Sequence, residues 1–188
     1  QLEAIHDASL TILEEVGMDV LLPEARQILA AAGARVEPGS QRVRLDRSLV
    51  LEQVAKAPSA FTLHARNPAH DLAIGGDALV FATVASAPNC SDLEGGRRVG
   101  AQADFRNFLR LAQSLNIVHL VGGYPVEPVD VHPNLRHLEC LRDCVTLTDK
   151  AFHAYSLGWG RIHDGIEIAR IARQLSPERL QAEPSLFT

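Results

Sequence analysis

His137, Cys140 and Cys144 fall at i, i+3 and i+7, so a helix there carries an imidazole and two thiols on one face. Such a set can hold zinc, which takes four ligands or three and a water. It can equally be the buried seam of a helix, since cysteine behaves as a small hydrophobe and Leu141 and Val145 flank it; the spacing favours packing. A third thiol, Cys90, lies in Ala87-Pro88-Asn89-Cys90-Ser91-Asp92 as a bystander or a reactive group. Asn89 and Asp92 there contact a ligand or make turn hydrogen bonds. His119 and His153 sit near the middle of two apolar runs. Helix-covered parallel strands rarely aim a polar ring at the helices, so both are expected on the inner face. They are core histidines, each with one partner (the other histidine included), or groups that orient a carboxylate or water. Glu14-Glu15 and the Asp71/Asp77 pair read as solvated charges. There is no Ser-His-Asp elbow, no phosphate loop and no His-Glu-x-x-His helix.

Composition narrows the classes further. The 188 residues are 46% hydrophobic and 22% charged, with a formal net charge of -5. That is too apolar for disorder and too acidic to hold nucleic acid by its general field. All but two of the 18 basic residues are arginines, scattered without a run. No stretch of 18 apolar residues exists, no secretory leader is expected from QLEAIHDASL, and three cysteines are too few for a disulfide framework. A soluble, cytoplasmic globular protein is the expectation.

The elements that must position these residues fall into two parts, 1–75 and 76–188. In the first, Ile5, Leu10, Ile12, Leu13 and Val16 form a helical stripe ended by Gly17, and Pro23 and Gly33 bracket a second helix. A hairpin around Pro38-Gly39-Ser40 follows, then a helix capped by Asp46, then a strand from Phe61: an α+β unit. From Ala78 the rhythm becomes strand, loop, helix. Strands are expected at 78–83, 117–121 and 151–157, helices at 104–115, 134–148 and 162–175, with a fourth strand beginning at the end of the chain. This alternation means parallel βαβ units. They are either a small doubly wound sheet or the front of something larger. No glycine fingerprint follows the first strand, so dinucleotide binding is not expected.

The stretch IHDASLTILEEVGMDVLLPEARQILAAAGARVEPGSQRVRL, continued by LVLEQVAKAPSAFTLHARNP, resembles the N-terminal region of the trimethylamine:corrinoid methyltransferase family. The resemblance rests on a helix ending in Val-Gly, a Pro-Glu-Ala helix ending in Ala-Gly-Ala, then Arg-Val-Arg-Leu and Ala-Pro-Ser-x-Phe. It continues less densely through Ser91-Asp92, Gly96-Arg97-Arg98 and the helix near His137. It implies the first half of a TIM-like (β/α)8 barrel behind a small N-terminal subdomain, in a chain shorter than family members. It also implies transfer of a methyl group from a methylated amine, trimethylamine or glycine betaine, to the cobalt of a corrinoid (cobalamin) carried by a partner protein. The chain itself would bind no cofactor and no metal. Association into a homo-oligomer stays open, and this chain by itself is expected to be inactive. The rival reading is a small-molecule or protein-binding module that kept the family's front end and lost catalysis; a weaker third is another cobalamin-linked barrel enzyme.

A barrel of that kind puts its site at the C-terminal ends of the strands: Thr83 onward, Gly122-Gly123-Tyr124, and Tyr155 to Trp159. A quaternary ammonium has no N–H to donate, and aromatic faces hold it at about 0.5–2 kcal/mol each. Tyr124, Tyr155 and Trp159 on this rim are the expected cage, or they pack the barrel top with Tyr124 on a solvent loop. Gly122 and Gly123 admit a ligand close to the backbone or permit a turn at positive φ. His153 lies below them, and Gly158 and Gly160 also keep the rim small.

Overall fold

The computed structural model describes residues 1–154 and 157–187 and contains both helices and strands, within two compact units, 1–58 and 59–188. In the first unit α1 (Leu2–Thr11) runs into a π-helical turn (Ile12–Val16). Gly17 then turns the chain at φ +73°, where an added Cβ would meet the Val43 carbonyl oxygen at 2.3 Å. β1 (Met18–Asp19), α2 (Pro23–Ala31), β2 (Arg35–Val36) and β3 (Arg42–Arg44) follow, and the strands form an antiparallel sheet in the order β1-β3-β2. Alternation along β3 buries Val43 between Met18 and Val36 and turns Arg42 and Arg44 outward, to Asp19 and Glu37. α3 (Arg47–Ala55) closes the unit. Asp46 precedes it as expected but gives no side-chain cap; its carboxylate pairs with Arg35 at 2.7 Å instead.

The second unit opens with an antiparallel hairpin, β4 (Ala60–Leu63) and β5 (Leu72–Gly75). The first expected parallel strand, 78–83, is reduced to a single bridge, Ala82 to Leu120, reinforced by His119 and Thr83 N–H bonds across the same seam. Its other edge has no strand partner among the described residues, and Leu79 and Phe81 are exposed there. A second hairpin, β6 (Asn89–Asp92) and β7 (Gly96–Val99), occupies what reads in the sequence as a loop. Then come α4 (Gln102–Ser114), β8 (Leu120–Val121), α5 (Pro133–Leu147), β9 (Ala151–Phe152), α6 (Trp159–Arg173) and α7 (Pro177–Ala182). β8 and β9 pair in parallel, and His153 bridges Phe187, also in parallel. Four parallel segments therefore lie side by side in chain order, with α4 against α5 and α5 against α6.

The sheet has two different faces. Val121 and Phe152 point into the helix layer, among Phe105, Leu109, Leu141 and Ala169. Leu120 and Ala151, one residue earlier in each strand, pack on Leu63 and Ala65 of the β4–β5 hairpin. No helix among the described residues is long and apolar enough to cross a membrane.

Candidate functional site

Register decides which side chains share the C-terminal ends of the strands. Leu120 pairs with Ala151 and Val121 with Phe152, so Gly122 and His153 come next on the hairpin-side face. His119 lies three residues before Gly122, on the opposite face and at the opposite end. The two histidines therefore do not meet. His119 stacks on Phe81, and its Nδ1 accepts the Phe81 N–H at 2.9 Å.

Thr83 and the two glycines form one seam. The Gly122 N–H donates to Thr83 Oγ1 at 3.0 Å, and a Cβ on Gly122 would lie 2.5 Å from the Thr83 carbonyl oxygen. Gly123, at φ +140°, would carry a Cβ 2.8 Å from that of Ala85. Gly122 thus admits the neighbouring backbone and Gly123 the Ala85 methyl. Ser86 N–H to the Tyr124 carbonyl and Glu127 N–H to that of Ala87 extend the seam outward.

The three rim aromatics differ in kind. Tyr124 is 5% exposed; Phe105 meets it at a centroid distance of 5.7 Å and an interplanar angle of 87°, and its hydroxyl hydrogen-bonds the Cys140 thiol. It is neither on a solvent loop nor presented as an open face. Trp159 is 78% exposed and lies in the first turn of α6, which starts three residues earlier than the sequence suggests, with its ring tilted on His163 at 4.1 Å. Tyr155 lies outside the described residues. His153 is half-buried, with Phe187 edge-on at 5.0 Å, and its Nδ1 has no hydrogen-bond partner among the described residues. Burial pulls its pKa down and favours the neutral ring.

Beside Thr83 opens a cleft of about 570 Å³, within the size range of small-molecule sites. Val84, Ala87, Phe108 and Pro125 supply its apolar lining; Asn89, Cys90, Ser91 and Arg97 supply the β6–β7 side. Along β7 the neighbouring Arg98 turns to the other face, where both its terminal nitrogens reach Asp104, at 2.5 and 2.7 Å. Asp104 also accepts the Ala101 N–H at the start of α4, and the Arg98 guanidinium holds its carboxyl at about 2. Cys90 is bonded to the same carboxylate. Partial burial, then that bond, raise its pKa, so this thiol is a poor nucleophile.

The helix bearing His137, Cys140 and Cys144 turns all three inward. Burial pushes Cys140 up to about 12, against the pull of the Tyr124 hydroxyl, and raises Cys144 as well. His137 Nε2 bonds Asp164 at 2.8 Å and ties α5 to α6. Among the described residues no group of three His, Cys, Asp or Glu is arranged to hold a metal ion. Asp71 is less solvated than its sequence context suggests: it accepts from His64 Nδ1 and the Ala65 N–H, both at 2.8 Å, and locks the β4–β5 hairpin.

Sequence reasoning missed the β6–β7 hairpin and with it Arg97 and Phe108. Its signal was Gly95-Gly96 at the turn into the second of two four-residue runs, of which the first, Asn89–Asp92, lacks the β-branched and aromatic residues that mark a strand. It also missed α7, announced by Ser176-Pro177-Glu178, where the Ser176 hydroxyl caps the Arg179 N–H at 3.3 Å.

Comparison with known proteins supplies what this geometry leaves open. The family model described as trimethylamine methyltransferase (MTTB) matches residues 1–188. A glycine betaine methyltransferase of Desulfitobacterium hafniense (strain Y51) is 38% identical over 171 residues, 91% of this chain and 35% of its own length. A trimethylamine methyltransferase MttB of D. hafniense (strain DSM 10664 / DCB-2) is 30% identical over 136 residues, 72% of this chain and 27% of its own length. That of Methanosarcina barkeri (strain Fusaro / DSM 804) is 37% identical over 67 residues. The chain thus spans about a quarter to a third of the length of these two relatives. With the model matched from the first residue to the last, the chain belongs to the trimethylamine methyltransferase family.

Proposed function

We propose that this chain is the front part of an enzyme that removes a methyl group from a methylated amine, glycine betaine or trimethylamine, and passes it to a corrinoid carried by a separate protein. The observation that carries the reading is the family match over the whole chain, with a glycine betaine methyltransferase 38% identical across most of it. The architectural part is the first half of a (β/α)8 barrel. Four parallel segments adjacent in chain order, with no reversal of strand order, support it, because a doubly wound sheet reverses at its switch point.

The corrinoid would supply the cobalt that accepts the methyl group. What this chain contributes is position. Side chains at 85, 87, 122 and 123 are methyl groups or hydrogens, so at those positions a flat macrocycle meets little bulk, with the exposed Val84 as the larger neighbour. Thr83 and the Gly122-Gly123 seam fix the strand ends, His153 lies below as a neutral ring, and Trp159 offers an exposed aromatic surface. Tyr155 is the further aromatic expected there from the sequence. Tyr124 backs the rim from within, through Phe105. Holding the N-methyl carbon in line and excluding water are the parts of the barrier that such a rim can lower.

The test uses the full-length protein with reduced cobalamin, or a reduced corrinoid protein, as acceptor. Loss of the cobalt(I) absorbance on adding glycine betaine or trimethylamine is expected; no loss with either amine, or with choline or carnitine, defeats the reading. The 188-residue chain by itself is expected to give no turnover.

A further inference from the structure

We propose that the cleft between Thr83 and the β6–β7 hairpin binds the carboxylate of a zwitterionic methylated amine, with Arg97 as its anchor. The inference rests on the methylated-amine reading and narrows it to donors that carry an acid group.

Arginine is the abundant cation of this chain, and it is almost always engaged. Arg98, Arg106 and Arg136 hold carboxylates, Arg110 an asparagine, and Arg26, Arg66 and Arg161 backbone carbonyls. The others pair with Asp or Glu. Arg97 is the one arginine whose side chain has no hydrogen bond or ion pair among the described residues. An exposed arginine needs no partner; what singles this one out is where it stands. It lines the cleft of about 570 Å³, whose walls hold no aspartate or glutamate. The two nearby carboxylates, Asp92 and Asp104, are both taken by Arg98 on the opposite face of the same strand. Pairing of Ser91 with Arg97 puts the serine hydroxyl on the cleft side, and Asn89, two residues along, shares that face.

The cleft thus combines a free guanidinium with neutral hydrogen-bonding groups on one side and Val84, Ala87, Pro125 and Phe108 on the other. A guanidinium fork matches a carboxylate in two parallel bonds. A trimethylammonium head wants the apolar and aromatic wall, to which Phe108, a residue 36% exposed, contributes. A substrate with both ends, its charges one or two carbons apart, meets both demands; trimethylamine meets only the second. Thr83 brings the cleft to the strand ends where the chemistry is proposed.

The experiment compares Arg97→Gln and Arg97→Lys with the parent full-length protein. For glycine betaine the KM of Arg97→Gln is expected to rise about tenfold or more, the loss of one charge-assisted pair, with partial recovery in Arg97→Lys. For trimethylamine the KM should move by less than about twofold. Calorimetric titration should give the same contrast between glycine betaine and choline, which keeps the trimethylammonium and has a hydroxyl in place of the acid. Because the Arg97 side chain has no partner among the described residues, the variants should unfold within about 2 °C of the parent. An equal rise for both donors, an unchanged KM for glycine betaine, or a protein that demethylates trimethylamine but not glycine betaine overturns the proposal while leaving the methylated-amine reading intact. Absence of turnover with every methylated amine overturns that reading, and this proposal with it.

Discussion

The two ends of the parallel strands are built on opposite principles. At the N-terminal end the charged pair Asp149 and Lys150 is fully engaged. Lys150, 4% exposed, donates to the carbonyls of Ala112, Leu115 and Val118 at 2.6, 3.0 and 2.7 Å, so its three protons meet the closing turn of α4 and the loop behind it. Next to it Asp149 accepts from Asn67, His70 and Gln113, tying the β4–β5 hairpin to α4. At the C-terminal end, Arg97 has no partner among the described residues, Trp159 stands in solvent and His153 Nδ1 is unsatisfied. Charged groups tied down at one end, with a cation and an aromatic ring left open at the other, match the division between stability and binding in α/β folds.

If that division holds, substitutions should sort by end. The largest loss of stability is expected from Lys150→Met, which strips the buried Ala112 carbonyl and the part-buried Leu115 and Val118 carbonyls of their donor; about 3 kcal/mol should be lost from the unfolding free energy measured by denaturant. A loss under about 1 kcal/mol would mean that water replaces the ammonium at those carbonyls.

Asp149 comes next and carries a pH signature. Burial alone pushes its carboxyl up, but the bonds from Asn67, Gln113 and His70 outweigh it and hold the group at about 2, against an ordinary 3.8. A depressed carboxyl stabilises the fold above its unfolded pKa, and that contribution fades as pH falls through the folded value. About 2 kcal/mol should therefore be lost between roughly pH 4 and pH 2. Asp149→Asn should lose that amount at pH 7 and show a flatter melting profile across the same window; a parallel profile would remove Asp149 from the seal.

The smallest stability effect belongs to the rim. Trp159→Leu should shift unfolding by no more than about 0.5 kcal/mol, while weakening the response of the full-length protein to glycine betaine in a thermal-shift titration. A destabilised Trp159→Leu protein with unchanged ligand response would make Trp159 a packing residue and blur the contrast between the ends.

Much of this was legible in the residues. Pro133 and Pro177 start helices because their missing N–H is an orphan there in any case. Gly17 and Gly33 end turns that demand positive φ. The alternation of apolar runs announced parallel units, and the inward seam of Cys140 and Cys144 followed from helical spacing. The rim was less legible. Thr83, Gly122 and Gly123 do share one seam, yet the glycines turn out to accommodate the neighbouring segment, the Thr83 carbonyl and the Ala85 methyl. Tyr124 lies beside them in sequence and is nonetheless a core residue, because the chain after Gly123 folds its ring onto Phe105 of α4.

The sequence by itself determined where most of the longer helices lie, which family the chain belongs to, and the prolines and glycines at which several helices start and stop, because those depend on spacing and backbone permissiveness within a few residues. Only the tertiary structure decided that His119 and His153 part company, that Asp46 leaves its helix for Arg35, that Lys150 closes one end of the sheet and that Arg97 faces a cleft free of carboxylates. Those outcomes depend on register and on which distant groups compete for the same charge, and neither is written in any local run of residues.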